Sequence, residues 1–187
     1  MSFRSLLEID ARLSDQLRVA EKPGFLRSVA AFLAHSGDSW FWAAALIVSW
    51  FFSNPAWKQW EVVEFFGILG LAGVVLAIKF LVRRKRPEGE WGGIYRNTDP
   101  HSFPSGHAAR AFLIAVVGMA LAPSIWLIIF LWVWAPLVSL ARVAMGVHYL
   151  SDVVVGAILG VIVGLIGLQI YHPMVNWLAT LIGFPLW

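Results

Sequence analysis

The chain of 187 residues has no cysteine and little charge, with only 13% of its positions Asp, Glu, Lys or Arg. The first absence excludes a disulfide framework and any thiolate metal site. The second excludes an ordinary soluble domain, in which about 25% of residues are charged. A broad basic face is also missing. Net charge is +3 and the basic residues are clustered, so nucleic acid is not a partner. Nothing resembles a secretory signal, because the first residues interleave charges with Phe3, Leu6, Leu7, Ile9, Leu13 and Leu17. There are no repeats or low-complexity segments. What remains is apolar: 59% hydrophobic residues and a mean hydropathy of +0.74. The 11 tryptophans fit interfacial aromatic belts.

This composition predicts an all-α polytopic membrane bundle of five, or at most six, transmembrane helices forming a single domain over residues 1–187. A span needs about 20 mostly apolar residues. Ser39 to Trp57 carries no charge and reads as the first span, ending at Asn54-Pro55. Phe25 to Ala34 is too short to cross and reads as interfacial or half-inserted. The second span runs from about Val62 to Val82. No charge occurs from Ala111 to Ala141, a run broken by Ala122-Pro123-Ser124, which gives two antiparallel helices, His107–Leu121 and Ser124–Ala141. The last span covers Val153 to Tyr171. Residues 39–171 thus form the core, and 172–187 an apolar tail in the interface. Residues 1–36 form an interfacial N-terminal region, in which the i, i+3, i+4 spacing from Phe3 to Leu17 fits an amphipathic helix on the membrane surface or packed on the protein. Glycines 156, 160 and 164 form a groove for close helix approach, read as internal packing ahead of dimerisation; the expected state is a monomer or weak homodimer.

Three polar clusters stand out against this background: Lys79 to Arg86-Pro87, Pro104-Ser105-Gly106-His107, and Arg142, His148 and Asp152. Polar groups near a bilayer cost several kcal/mol each, of order ~3 for a cation at a helix centre, unless they are used. Following the crossings puts all three clusters at one membrane face. Lys79, Arg83 and Arg86 share a helical stripe near the end of the second span, and their cations match phosphate oxygens. Arg84 and Lys85 read as a patch for anionic headgroups. Ser105 reads as an N-cap, and Gly106 lets backbone N–H groups approach an anion at a helix start. His107 there can protonate a departing oxygen. His148 and Asp152, four apart, place a carboxylate against one imidazole nitrogen and leave the other free to attack. Gly146 allows the bend before them. A metal held by His107, His148 and Asp152 is disfavoured, because the cations already supply its charge, and no metal or other cofactor is expected.

Together, Lys79-x6-Arg86-Pro87, Pro104-Ser105-Gly106-His107 and Arg142-x5-His148-x3-Asp152 resemble the three signature motifs of the type 2 phosphatidic acid phosphatase family. The resemblance implies a metal-independent hydrolase acting in two steps on a membrane lipid phosphate in the bilayer. It makes His148 the nucleophile that forms a phosphohistidine, Asp152 its orienting partner and His107 the general acid. Lys79, Arg86, Arg142, Ser105 and Gly106 would bind phosphate. Ala141 departs from the usual serine before Arg142. Arg110 after the histidine is similar to branches acting on isoprenoid diphosphates. Candidate substrates are therefore phosphatidic acid, phosphatidylglycerophosphate or an isoprenoid diphosphate. Alternatives are a lipid phosphoryl or phosphatidyl transferase, or a vanadate haloperoxidase or acid phosphatase of soluble substrates. A non-enzymatic membrane module fits least, because every catalytic position is filled.

Location follows as a multi-pass cell-membrane protein. Nine basic residues outside the motif positions lie at the site face (Arg4, Arg12, Arg18, Lys22, Arg27, Arg83, Arg84, Lys85 and Arg96) against Lys58 opposite. The positive-inside rule sends that face to the cytoplasm. The family resemblance sends it outside, and we adopt the extracytoplasmic side.

Overall fold

The computed structural model describes residues 3–89, 91 and 99–186. Helices run in the order α1 (Phe3–Gln16), α2 (Phe25–Ser36), α3 (Ser39–Trp50), α4 (Pro55–Val82), α5 (Gly106–Leu121), α6 (Ile125–Ala144) and α7 (Leu150–Ile182). The architecture is all-α. Helices α4, α6 and the first part of α7 are long and apolar enough to cross a bilayer.

Helix α5 is the hub, packed chiefly on α7 and then on α6 and α4. Leu113, Ile114, Ala115 and Val117 of α5 are fully buried with Leu131, Ala135 and Val138 of α6. The glycine groove receives α5. A Cβ at Gly156 would come 2.5 Å from the Ser105 carbonyl oxygen, one at Gly160 would run into the Ala109 carbonyl, and one at Gly164 would meet Val116 at 3.0 Å. The groove therefore serves internal packing. Outward faces carry exposed Leu76, Leu81, Trp126, Phe130, Ile158 and Ile166, as lipid-facing helices should.

Several boundaries differ from the sequence expectation. The first span is not Ser39–Trp57. Asn54 accepts a hydrogen bond from the Trp57 N–H at 3.2 Å, and Pro55 opens α4. An N-cap followed by proline starts a new helix rather than ending an old one. Helix α3 thus keeps 12 residues, a rise of about 18 Å, short of a bilayer. Helix α2 precedes it, packed against α6. Its Ala30 and Ala34 pack with Ala141 and Met145 at the site face, while α3 ends where Ser49 and Ser53 donate to Glu61 at 2.5 and 2.6 Å. Phe25–Ala34 thus packs against the bundle on its Ala30–Ala34 side and joins α3 through a break at Gly37-Asp38.

The tail is also helical, because α7 continues through Pro173 to Ile182. Loss of one backbone donor is offset by packing: Val175 is fully buried, and Leu178, Ile182 and Leu186 share an apolar cavity with Leu46, Trp50 and Phe66. The tryptophans are not all belt residues. Trp60 and Trp134 are buried and donate to Glu64 (3.1 Å) and Ser36 (2.8 Å), since a buried indole N–H needs an acceptor.

Candidate active site

One end of the bundle gathers the three polar clusters. Helix α4 ends at Val82, with Arg83 in the left-handed region (φ 52°) as its cap. That single residue turns the chain, so Lys79 and Arg86 do not share a helical stripe. Arg83 points back to the Phe80 carbonyl (2.8 Å) and lies outside the site. Arg86 follows in extended chain, where Lys85 pairs with His101 and Ser102 donates to the Arg84 carbonyl at 2.8 Å. Lys79 is buried rather than snorkelling and donates to the His101 carbonyl at 3.0 Å.

The third cluster is positioned by a turn. Gly146 takes φ 67°, which a side chain would strain, and His148 follows in the loop before α7. His148 and Asp152 are therefore not paired on one helix surface. Asp152 lies in the first turn of α7 and accepts from the Tyr149 N–H at 2.9 Å. Its Oδ2 stands 3.6 Å from His148 Nδ1, an ion-pair distance rather than a hydrogen bond. Its other oxygen accepts from Arg84 at 2.7 Å. Arg84 also reaches Asp10 (2.7 Å) and lies over the Tyr149 ring, so it is part of the site's scaffold, not a free headgroup patch; Lys85 is exposed.

The key contact is Arg86 Nη1 to His148 Nε2 at 3.1 Å. A guanidinium only donates, so Nε2 is the acceptor and the ring proton sits on Nδ1, toward Asp152. That tautomer leaves the Nε2 lone pair facing the cations that would hold a phosphoryl group. Burial, then the charges of Arg86, Arg142 and Lys79, hold the His148 pKa well below its ordinary value. The ring is thus kept neutral. Arg142 is fully buried on the last turn of α6.

Ser105 occupies the N-cap position of α5, but its side chain makes no cap hydrogen bond. Its Oγ is buried without a partner among the described residues. Its backbone N–H instead donates to the Asp152 carbonyl at 2.9 Å, which ties the second cluster to the third. His107 sits one residue into α5, with Nε2 2.7 Å from Asp38 Oδ1. Gly106, His107, Lys79, Arg110 and His148 line a cavity of about 240 Å³ whose other wall is Ile68, Leu71, Ala72, Val75 and Leu76 of α4.

Two residues here escaped the sequence reading. Asp99 bridges Lys79 and Arg86 (2.8 Å to Arg86 Nη2), and Asp38 meets His107. Only Asp38 is marked by isolation, as the lone Asp, Glu, Lys or Arg from residue 28 to 57; Asp99 is one of three carboxylates between the first two clusters, after Glu88 and Glu90.

Comparison with known proteins decides the family, since the model of the PAP2 superfamily matches residues 61–175. The chain belongs to the PAP2 superfamily. It is 31% identical over 160 residues to a decaprenylphosphoryl-5-phosphoribose phosphatase of Mycobacterium tuberculosis, covering 85% of this chain and 88% of that protein. The crystal structure of Aquifex aeolicus LpxE superposes with a TM-score of 0.65 at 26% identity, covering 83% of this chain and 93% of the other. A PAP2-type phosphatidylglycerolphosphate phosphatase from Bacillus subtilis shares the fold (TM-score 0.71, 22% identity, 90% and 87% covered).

Proposed function

We propose that this membrane phosphatase hydrolyses a lipid phosphate through a phosphohistidine, with a polyprenyl-linked phosphate as its preferred substrate class. The observation that carries the reading is the Arg86–His148 contact at one end of a cavity whose other wall is apolar. A phosphate seated among Lys79, Arg86 and Arg142 brings its phosphorus to His148 Nε2, while its apolar tail lies along Val75, Leu71 and Ile68 toward the bilayer. The 31% identical mycobacterial relative, which carries a decaprenyl substrate in its name, favours a long prenyl chain.

In the first step Nε2 forms a bond to phosphorus and the ester P–O bond breaks. His107 gives its proton to the departing oxygen. In the second step His107 takes a proton from water, whose oxygen attacks phosphorus and releases phosphate from His148. Lys79, Arg86 and Arg142 hold the phosphoryl oxygens, joined by the Ser105 hydroxyl and the N-terminal N–H groups of α5. Because these cations neutralise the transferring group, the step calls for no metal. We place the site on the extracytoplasmic side.

The test is phosphate release from phosphatidic acid, phosphatidylglycerophosphate, undecaprenyl diphosphate and a prenyl-linked sugar phosphate. His148→Ala should lower turnover by about 10³-fold or more while the protein still purifies as one species. Retained turnover sinks the nucleophile assignment. Activity should persist in EDTA, and its loss there would restore a metal role.

A further inference from the structure

Asp38 meets His107 at hydrogen-bond distance, closer than Asp152 stands to His148. The carboxylate sits in the break between α2 and α3, at the N-cap position of α3, yet it makes no side-chain cap bond to that helix. An aspartate at this position ordinarily accepts from the first backbone N–H groups. Here both oxygens go to histidines: Oδ1 to His107 Nε2 at 2.7 Å and Oδ2 to His35 Nδ1 at 3.1 Å. The local geometry favours the helix, and the side chain is spent elsewhere.

The break itself is held open from several sides. Trp42 donates to the Ser36 carbonyl at 2.9 Å, and Trp134 donates to the Ser36 hydroxyl at 2.8 Å. Arg110, one turn along α5 from His107, donates to the Gly37 carbonyl. Gly37 is needed because a Cβ there would lie 2.9 Å from Val138 and 3.4 Å from the His107 ring. Interrupted backbone at membrane depth is tolerated where it serves a polar site and its freed groups are satisfied. Unbroken helix through residues 37–38 would not bring this carboxylate to the catalytic end in the same way.

We infer that Asp38 is the positioning residue for the general acid of this phosphatase, an inference that rests on the reading of His107 as that acid. With Oδ1 on Nε2–H, the carboxylate leaves Nδ1 as the nitrogen that serves the substrate. It also supplies the counter-charge a protonated imidazole needs in a site that already holds Lys79, Arg86, Arg110 and Arg142. The proton on Nδ1 then passes to the ester oxygen as the P–O bond breaks, and a proton from the attacking water returns to Nδ1 in the second step. Asp38 keeps its charge throughout and exchanges no proton. His35 fixes the second carboxylate oxygen from a half-exposed position.

A residue that acts through the general acid has a signature that a purely structural one lacks: its effect depends on the leaving group. Alkoxide departure from a prenyl or alkyl phosphate needs a proton, whereas nitrophenolate leaves without one. The experiment compares Asp38→Asn with the natural protein on a long-chain alkyl phosphate and on a nitrophenyl phosphate carrying an alkyl tail. The kcat/KM of the alkyl phosphate, which reads the phosphoryl-transfer step alone, should fall by about 10²-fold or more, the range of general acid catalysis, and that of the nitrophenyl ester by less than about threefold. Equal losses on both substrates, or no loss on the alkyl phosphate, overturn the assignment. Adding Asp38→Asn to His107→Ala should cost nothing further on the alkyl phosphate; an additive loss also overturns it. Should Asp38→Asn not purify as a monodisperse species, Asp38→Ser is judged by the same ratio. His148→Ala silences both esters if the hydrolase reading holds. Its retention of both would sink that reading by a pattern none of the Asp38 outcomes shares.

Discussion

At the scale of single residues, the site rests on assigning each nitrogen a direction. Arg86 fixes the tautomer of His148 and also helps keep it unprotonated, after burial itself. On the proposed mechanism the neutral ring is the active form, so acid should inactivate by protonating it. The folded pKa lies below the ordinary value of about 6.5, so the acid limb of kcat/KM should fall below pH 6.5. Arg86→Gln removes one depressing charge, and its acid limb should move up in pH as its KM rises. An unmoved limb in a kcat/KM–pH profile would separate Arg86 from the nucleophile. Motif spacing singled out the cations, both histidines and Asp152, and the fold gathers them at one end of the bundle. It did not show Asp38 or Asp99, whose partners come from other parts of the chain. It also misplaced Arg84, which looks like its basic neighbours until α1 brings Asp10 beside it.

At the scale of elements, apolar length located α4, α6 and α7, and Pro123 located the turn between α5 and α6. Helix ends were less legible. The α2–α3 break reads locally as two short helices, and only contacts with α5 and α6 explain why it exists. Helix α1 is amphipathic as expected, but with its polar side inward: Ser14 accepts from the Leu150 N–H at 2.8 Å and Asp10 accepts from Ser151 at 2.9 Å, while Leu6, Leu13 and Leu17 face outward. The hydrophobic pattern records the amphipathicity, not which side meets protein. The glycine groove makes the sharpest prediction at this scale. Gly160→Ala drives a methyl into the Ala109 carbonyl and should destabilise by about 1–3 kcal/mol or more. Gly73→Ala, with open space around it, should be neutral or stabilising by about 0.5–1 kcal/mol. Thermal melts in detergent distinguish the two, and equal melting temperatures would remove the close-packing account.

At the scale of the whole molecule, all three motifs lie at one end, and that end faces one compartment. The absence of native cysteine makes the compartment measurable. A single cysteine at exposed Lys85, on the site face, should react with a membrane-impermeant maleimide in intact cells. One at exposed Ala56, on the far face, should react only after permeabilisation. The reverse pattern would place catalysis in the cytoplasm, as the basic residues around α1 and α2 suggest. Sequence gave the shared end by counting crossings; it gave the side only as two opposed arguments, because charge near this site serves both topology and phosphate.

The second and third motifs are fastened to each other, through the Ser105–Asp152 hydrogen bond and the α5 backbone seated in the α7 groove. The first motif is tied to the same block, because Arg86 donates to the Val147 carbonyl and to His148 Nε2 and Arg84 donates to Asp152. Lys79 and the apolar wall of the cavity stand on α4 itself. This end of the bundle is therefore pinned like the corner of a frame. A ligand entering here meets a cradle already assembled, and none of its binding energy goes into building one.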